Sequence, residues 1–147
     1  MYFYFQVSAK GVASEDYPWA PERVQVELAC EMVDEEWGSG MLSEVYGPSL
    51  AGDAEFARWW ARYQRVGASP SMAKAMIGLA AEIDIREVLP VIAVPTLVLH
   101  RKGDRLWPVE GARWIAGQIP EARLVELEGD DHWPFAGDVE ADRKSVV

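Results

Sequence analysis

Cysteine is almost absent from this chain: Cys30 is the only one in 147 residues. A disulfide-stapled scaffold is therefore excluded. Histidine is nearly as scarce, with only His100 and His132. Neither they nor the acidic residues show the spacing of a metal-ligand set, and no Gly-rich phosphate loop is present, so no metal and no cofactor are expected. Basic residues are outnumbered, 14 Lys and Arg against 24 Asp and Glu, for a net charge of -10. Phosphate contacts need Lys and Arg, so a nucleic-acid partner is not expected. No apolar run approaches the ~20 residues of a membrane span, so no membrane partner is expected. The opening Met-Tyr-Phe-Tyr-Phe-Gln-Val lacks the basic and long apolar regions of a signal peptide. A cytoplasmic location is the resulting expectation.

What is present fits a folded domain. Half of the residues are hydrophobic and seven are Trp. That is ample material for a core in a chain of single-domain length. Residues 2–7, Tyr-Phe-Tyr-Phe-Gln-Val, read as a strand that Lys10-Gly11 breaks. Pro18 and Pro21 punctuate a loop, and Pro21 opens a helix at a position where its missing N–H costs nothing. Val26, Ala29, Val33 and Trp37 share one face of that helix, and Gly38-Ser39-Gly40 ends it. The acidic residues Glu27, Glu31, Asp34 and Glu35 lie away from that seam and read as a solvated face. Residues 41–52 read as irregular.

Asp53 can cap a second helix, with Phe56, Trp59, Trp60 and Tyr63 at i, i+3, i+4 and i+7. An aromatic stripe of this kind reads first as core, with a substrate-lining role as the alternative. Ser69-Pro70 opens a third helix, whose stripe is Met72, Ala73, Met76, Ile77 and Ala80.

The second half has a different grammar. Thr96-Leu97-Val98-Leu99-His100 is an apolar run of the kind buried in a parallel sheet. Pro108 opens an amphipathic helix that Pro120 closes, and Arg123-Leu124-Val125-Glu126-Leu127 is the next strand. Strand, helix and strand joined by short loops form a βαβ unit. Asp104 and His132 each follow one of these strands. Their separation of 28 residues, 132 − 104, leaves room for one helical crossover between parallel strands. A right-handed crossover puts both loops at the same sheet edge. In open α/β sheets that carboxyl edge is where sites lie. An Asp that orients a His through one ring nitrogen leaves the other nitrogen free as a general base. Each residue alone also fits a structural role: Asp104 as a cap for the helix at Pro108, His132 as a loop histidine bonded to backbone.

The stretch Val94-Pro95-Thr96-Leu97-Val98-Leu99-His100-Arg101-Lys102-Gly103-Asp104-Arg105 resembles the acid-bearing strand of the α/β-hydrolase-fold family. Glu126-Leu127-Glu128-Gly129-Asp130-Asp131-His132-Trp133-Pro134 resembles its histidine loop. More loosely, Trp59-Trp60-Ala61-Arg62-Tyr63 and Ala68-Ser69-Pro70 resemble the helical cap of a subgroup found alone and fused to class III nucleotidyl cyclases. The order acid then histidine agrees with the Ser…Asp/Glu…His order of these hydrolases. The resemblance implies a partial α/β-hydrolase fold: a small parallel sheet with flanking helices and an inserted helical cap. Residues 12–82 would be the cap, and residues 1–11 and 83–147 the C-terminal part of the core. It further implies Asp104 as the catalytic acid of a triad and His132 as its base. The substrate would be a small-molecule ester or amide.

The family's G-x-S-x-G nucleophile motif is missing. Two residues to either side of Ser8 stand Gln6 and Lys10, and of Ser39 Trp37 and Met41, where the motif needs glycine; Ser69 reads as a helix cap. The expectation is a C-terminal piece of a serine-type hydrolase, inactive alone, with its strand at residues 2–7 left unpaired and open to self-association. The alternative is a non-catalytic, hydrolase-like regulatory or interaction module, as in the cyclase fusions. The tail Arg143-Lys144-Ser145-Val146-Val147 shows no apolar periodicity, so the family's usual final helix is expected to be missing or replaced.

Overall fold

Pro95 precedes and Gly129 follows a βαβ unit, and Pro108 and Pro120 flank its helix. The computed structural model describes residues 8–145. Strand β1 (Leu97–Arg101) leads into helix α5 (Val109–Gln118), which returns the chain to strand β2 (Arg123–Leu127). The strands are parallel, with Leu97 opposite Arg123 and Arg101 opposite Leu127. Lys102 N–H donates to the Leu127 carbonyl and Gly103 N–H to that of Gly129, so the pairing runs on past both strand ends. The loops that carry Asp104 and His132 therefore leave the same edge. Helix α5 packs on both strands, and its Val109, Gly111, Ala112 and Ile115 are buried. Among the described residues, no helix is long and apolar enough to cross a membrane.

The segment before the first helix completes this core. Ala9, Tyr17 and Ala20 are buried in one cluster with Leu89, Val98, Ala112, Ile115 and Ile119. The Tyr17 ring meets Trp19 and Trp114 edge-on, at centroid distances of 5.2 and 5.0 Å. Its hydroxyl oxygen accepts from the Ala9 N–H at 3.1 Å and from the Ser8 hydroxyl at 3.2 Å. Gly11 lets this segment pass against helix α4 (Pro70–Ala81): a Cβ there would lie 2.0 Å from the Ala80 carbonyl oxygen. Only glycine fits so close an approach of two backbones. The strand read at residues 2–7, with its unpaired edge, lies outside the described residues.

Helices build the other half. Helix α1 (Arg23–Glu36) packs on α4, and Val33, Met41 and Ala73 form a second buried cluster with Met32, Trp37 and Ile77 around it. Helix α1 starts two residues after Pro21, because Glu22 rather than Pro21 sets its boundary. The Gln25 side chain accepts from the Glu22 N–H at 2.7 Å, half of a capping box. Asp53 caps helix α3 (Ala54–Gly67) by accepting from Glu55 and Phe56 N–H, and Ser69 caps α4 by accepting from Met72 N–H. These two caps stand where the sequence places them.

Other expectations are corrected. Residues 41–52 are not irregular throughout: they contain helix α2 (Ser43–Tyr46) and a 3₁₀ turn at Pro48–Leu50. The aromatic stripe of α3 is not core. Trp59 and Tyr63 are exposed, and the buried positions of the helix are Ala61 and Gln64. Met72 and Met76 of α4 are also exposed, since its packed edge is Ala73, Ile77 and Ala81. The tail does carry a helix, α6 (Val139–Ser145). It rests on charge rather than apolar periodicity: Glu140 and Asp142 in the first turn and Arg143 and Lys144 in the last complement the helix dipole.

Gln64 is the polar keystone of the helical half. It is buried, accepts from the N–H groups of Gly38 and Gly40 at 3.2 and 3.0 Å, and donates to the Met41 carbonyl at 3.2 Å. Gln64→Leu removes both acceptor and donor while filling much of the volume. It should destabilise the chain by about 2–4 kcal/mol, because buried backbone groups then lack partners. Urea denaturation of both proteins measures it, and a difference below ~0.5 kcal/mol would mean that water replaces the side chain without loss.

Candidate active site

Asp104 sits three residues past β1, and its two carboxylate oxygens have separate tasks. Oδ1 accepts from the N–H groups of Leu106 and Trp107, at 2.8 and 3.2 Å, and so closes the loop that leads to α5. Oδ2 lies 2.8 Å from Nδ1 of His132. The structural and the chemical readings of Asp104 thus hold together, one for each oxygen. Both side chains are buried, with 5% and 8% of their surface exposed. Burial pushes the Asp104 carboxyl up, but the hydrogen bond and charge of His132, together with the two backbone donors, outweigh it. The group titrates below its ordinary value of 3.8. An ionised carboxylate can only accept, so Nδ1 of His132 carries the proton and donates it. Nε2 is left with its lone pair, and it has no hydrogen-bond partner among the described residues.

The histidine loop is held from three sides. The Tyr46 carbonyl, at the end of α2, accepts from the N–H groups of His132 and Trp133, at 2.9 and 3.2 Å. The Tyr46 ring stands edge-on to the imidazole, 5.4 Å away, and stacks on Trp133 at 5.3 Å. Burial, then the nearby negative charge of Asp104, push the Tyr46 phenol above its usual 10. Asp131 accepts from the Ser49 N–H at 2.9 Å, which ties the loop to the 3₁₀ turn. From below, Arg101 donates to the carbonyls of Asp131 and Trp133.

Trp133 continues into an aromatic wall. It meets Trp60 at 4.6 Å and Phe135 at 5.5 Å, and Trp60 stacks on Tyr63 at 5.3 Å. The α3 stripe thus leads from the solvent toward the histidine.

His100 also reaches this carboxylate. Its Nε2 is 3.8 Å from Asp104 Oδ2, and its Nδ1 is 2.8 Å from the Arg101 carbonyl oxygen. A carbonyl only accepts, so Nδ1 holds the proton there too. The 3.8 Å gap exceeds a hydrogen bond. Of the two histidines, His132 is therefore the one that Asp104 orients. Sequence reasoning overlooked Arg101, Tyr46 and His100. Arg101 did leave a signal, a cation at the end of an apolar strand; Tyr46 left none, because any residue supplies a backbone carbonyl and its ring meets His132 and Trp133 only in the fold.

The depressed Asp104 carboxyl has a consequence for stability. The contribution of a group whose pKa is lowered on folding is complete above its unfolded value and is lost as pH falls through the folded one. Stability should therefore decline with acid below pH 3.8, and Asp104→Asn should flatten that decline. Urea midpoints through this range measure it, and equal acid slopes in the two proteins would contradict it.

The fold built around this pair is that of the α/β hydrolases, present here in part. An esterase from Exiguobacterium antarcticum superposes with a TM-score of 0.80 at 22% identity, over 94% of this chain and 51% of that one. No family model matches the chain. Curated relatives of the chain include esterases. Pimeloyl-[acyl-carrier protein] methyl ester esterase of Nitrosomonas europaea is 27% identical over 129 residues, 84% of this chain and 51% of that protein. The protein of the same name from Aromatoleum aromaticum is 35% identical over 66 residues, 45% of this chain and 26% of that protein. The chain spans about half the length of the Nitrosomonas relative.

Proposed function

We propose that Asp104 and His132 are the acid and base of a serine-type hydrolase acting on a small-molecule ester or amide. The observation that carries this reading is the 2.8 Å bond from His132 Nδ1 to a buried carboxylate, at the shared edge of two parallel strands. It fixes the tautomer in which Nε2 can take a proton. In the reaction Nε2 accepts the proton of a serine hydroxyl as the oxygen attacks the substrate carbonyl. The imidazolium, steadied by Asp104, then gives that proton to the leaving oxygen or nitrogen. Water repeats the cycle on the acyl-serine and releases the acid. In this reading residues 12–82 are the cap over the site, with its leading segment, residues 13–20, packed into the core, and residues 1–11 and 83–147 belong to that core. The serine comes from outside residues 1–147, which contain no G-x-S-x-G. Relatives that are named as methyl ester esterases favour an ester over an amide.

A hydrolase-like regulatory module is the second reading, favoured by the lack of that motif. The test compares turnover of p-nitrophenyl acyl esters by the 147-residue chain and by the chain extended with its upstream coding sequence. The expected result is background rate for the first and saturable hydrolysis for the second. Hydrolysis by neither supports the regulatory reading. Hydrolysis by the short chain, abolished by Ser8→Ala, Ser39→Ala or Ser69→Ala, would show that the nucleophile lies within it.

A further inference from the structure

Arg101 is a cation in an unusual place. It ends a buried strand, and only 5% of its side chain is exposed. Burying a guanidinium is costly unless its donors and charge are answered. Here they are. One terminal nitrogen donates to the carbonyl of Asp131 at 3.2 Å and to that of Trp133 at 2.9 Å, the two residues that flank His132. The other terminal nitrogen pairs with the carboxylate of Asp142, on α6. The loop closes around this group through two residues with left-handed backbone, Gly129 and Gly137, at φ +100° and +74°. A Cβ on Gly137 would lie 3.4 Å from the guanidinium carbon and 2.7 Å from an Asp131 carboxylate oxygen.

We propose that Arg101 is a positioning residue for His132: it grips the backbone on both sides of the histidine, and its pairing with Asp142 makes α6 part of the support of the site. A planar fork with several donors can hold two carbonyls and a carboxylate at once, which an ammonium group cannot do with the same geometry. The site is therefore anchored from the C-terminal side as well as from Tyr46. The proposal takes His132 as the base, as above, but its test needs no turnover.

The test follows the His132 imidazole by long-range proton–nitrogen NMR in the 147-residue chain, with His100→Gln used to assign the two rings. In the wild type His132 should show the Nδ1–H tautomer, with a low-field proton protected by Asp104. Arg101→Met keeps much of the volume and removes the donors, and that protected proton should be lost and the tautomers should mix. Arg101→Lys should retain it in part. Asp142→Ala, on a more exposed helix, should weaken it in the same direction, and it decides the matter if Arg101→Met does not fold. A protected Nδ1–H that persists unchanged in folded Arg101→Met, or in Asp142→Ala, overturns the proposal, because a merely structural arginine would lower the melting midpoint and leave the tautomer alone. If the proton is lost in these variants while the extended enzyme hydrolyses esters without His132, the assignment of His132 as base fails and the clamp stands.

Discussion

Asp104→Asn should lower kcat for ester hydrolysis by about 10⁴-fold in the extended enzyme, with KM little changed. The reason lies in how the two carboxylate oxygens are used. Oδ1 accepts two backbone N–H groups, from Leu106 and Trp107. An asparagine amide must put its oxygen there, since its NH₂ would face two donors. The NH₂ is then presented to His132 Nδ1, which becomes an acceptor. The ring is driven into the other tautomer, with the proton on Nε2, where the lone pair is needed. The substitution preserves shape and reverses one hydrogen bond, so its effect falls on the chemical step rather than on binding. Steady-state kinetics on a p-nitrophenyl ester read it out. A loss below ~10-fold, with the fold intact, would mean that the tautomer of His132 does not limit the reaction.

Tyr17→Ala should destabilise the chain by about 3–5 kcal/mol, a large part of the ~5–15 kcal/mol typical of a whole domain. Tyr17 is fully buried and joins three pieces of structure. Its ring fills the space between Trp19 and Trp114 of α5, and its hydroxyl answers the N–H of Ala9, also fully buried. Removing the ring leaves a cavity beside rigid aromatic neighbours that cannot collapse into it. Tyr17→Phe separates the two terms: it keeps the ring, orphans the Ala9 N–H and should cost about 1–3 kcal/mol. Urea denaturation of the three proteins measures both steps. Near-equal midpoints for the alanine and phenylalanine variants would show that the hydroxyl, not the packing, carries the contribution.

The βαβ unit was legible because its signals are local and covalent. Pro95, Gly103, Pro108 and Pro120 punctuate it, and an apolar run too short for a helix lies between two of them. From that frame the meeting of Asp104 and His132 follows by arithmetic, since one right-handed crossover brings the two strand ends together. Asp53 and Ser69 were legible as caps for the same reason: a cap needs only its own helix.

What was not legible depends on partners distant in sequence. A stripe at helical spacing shows that one face is apolar, not that another element covers it. Phe56, Trp59, Trp60 and Tyr63 instead pack among themselves and against Trp133 and Phe135, leaving Trp59 and Tyr63 exposed. Helix α2 is four residues long and has no periodicity to detect. Its importance rests on Tyr46, whose carbonyl any residue would supply and whose ring contacts form only in the fold. Helix α6 escaped notice because ion pairs and dipole complementarity hold it, and an apolar-periodicity argument is blind to both.

Two histidines approach one carboxylate here, and only one is within hydrogen-bond distance. Parallel kinetics of His132→Ala and His100→Ala in the extended enzyme therefore test the central claim most directly. Loss of the proposed general base should lower kcat by about 10⁴- to 10⁶-fold in His132→Ala. His100→Ala should stay within about tenfold of the wild type, because His100 lies 3.8 Å from Asp104 and its protonated nitrogen is taken by the Arg101 carbonyl. Wild-type turnover in His132→Ala, or an equal collapse in both variants, would contradict the assignment of His132 as the base.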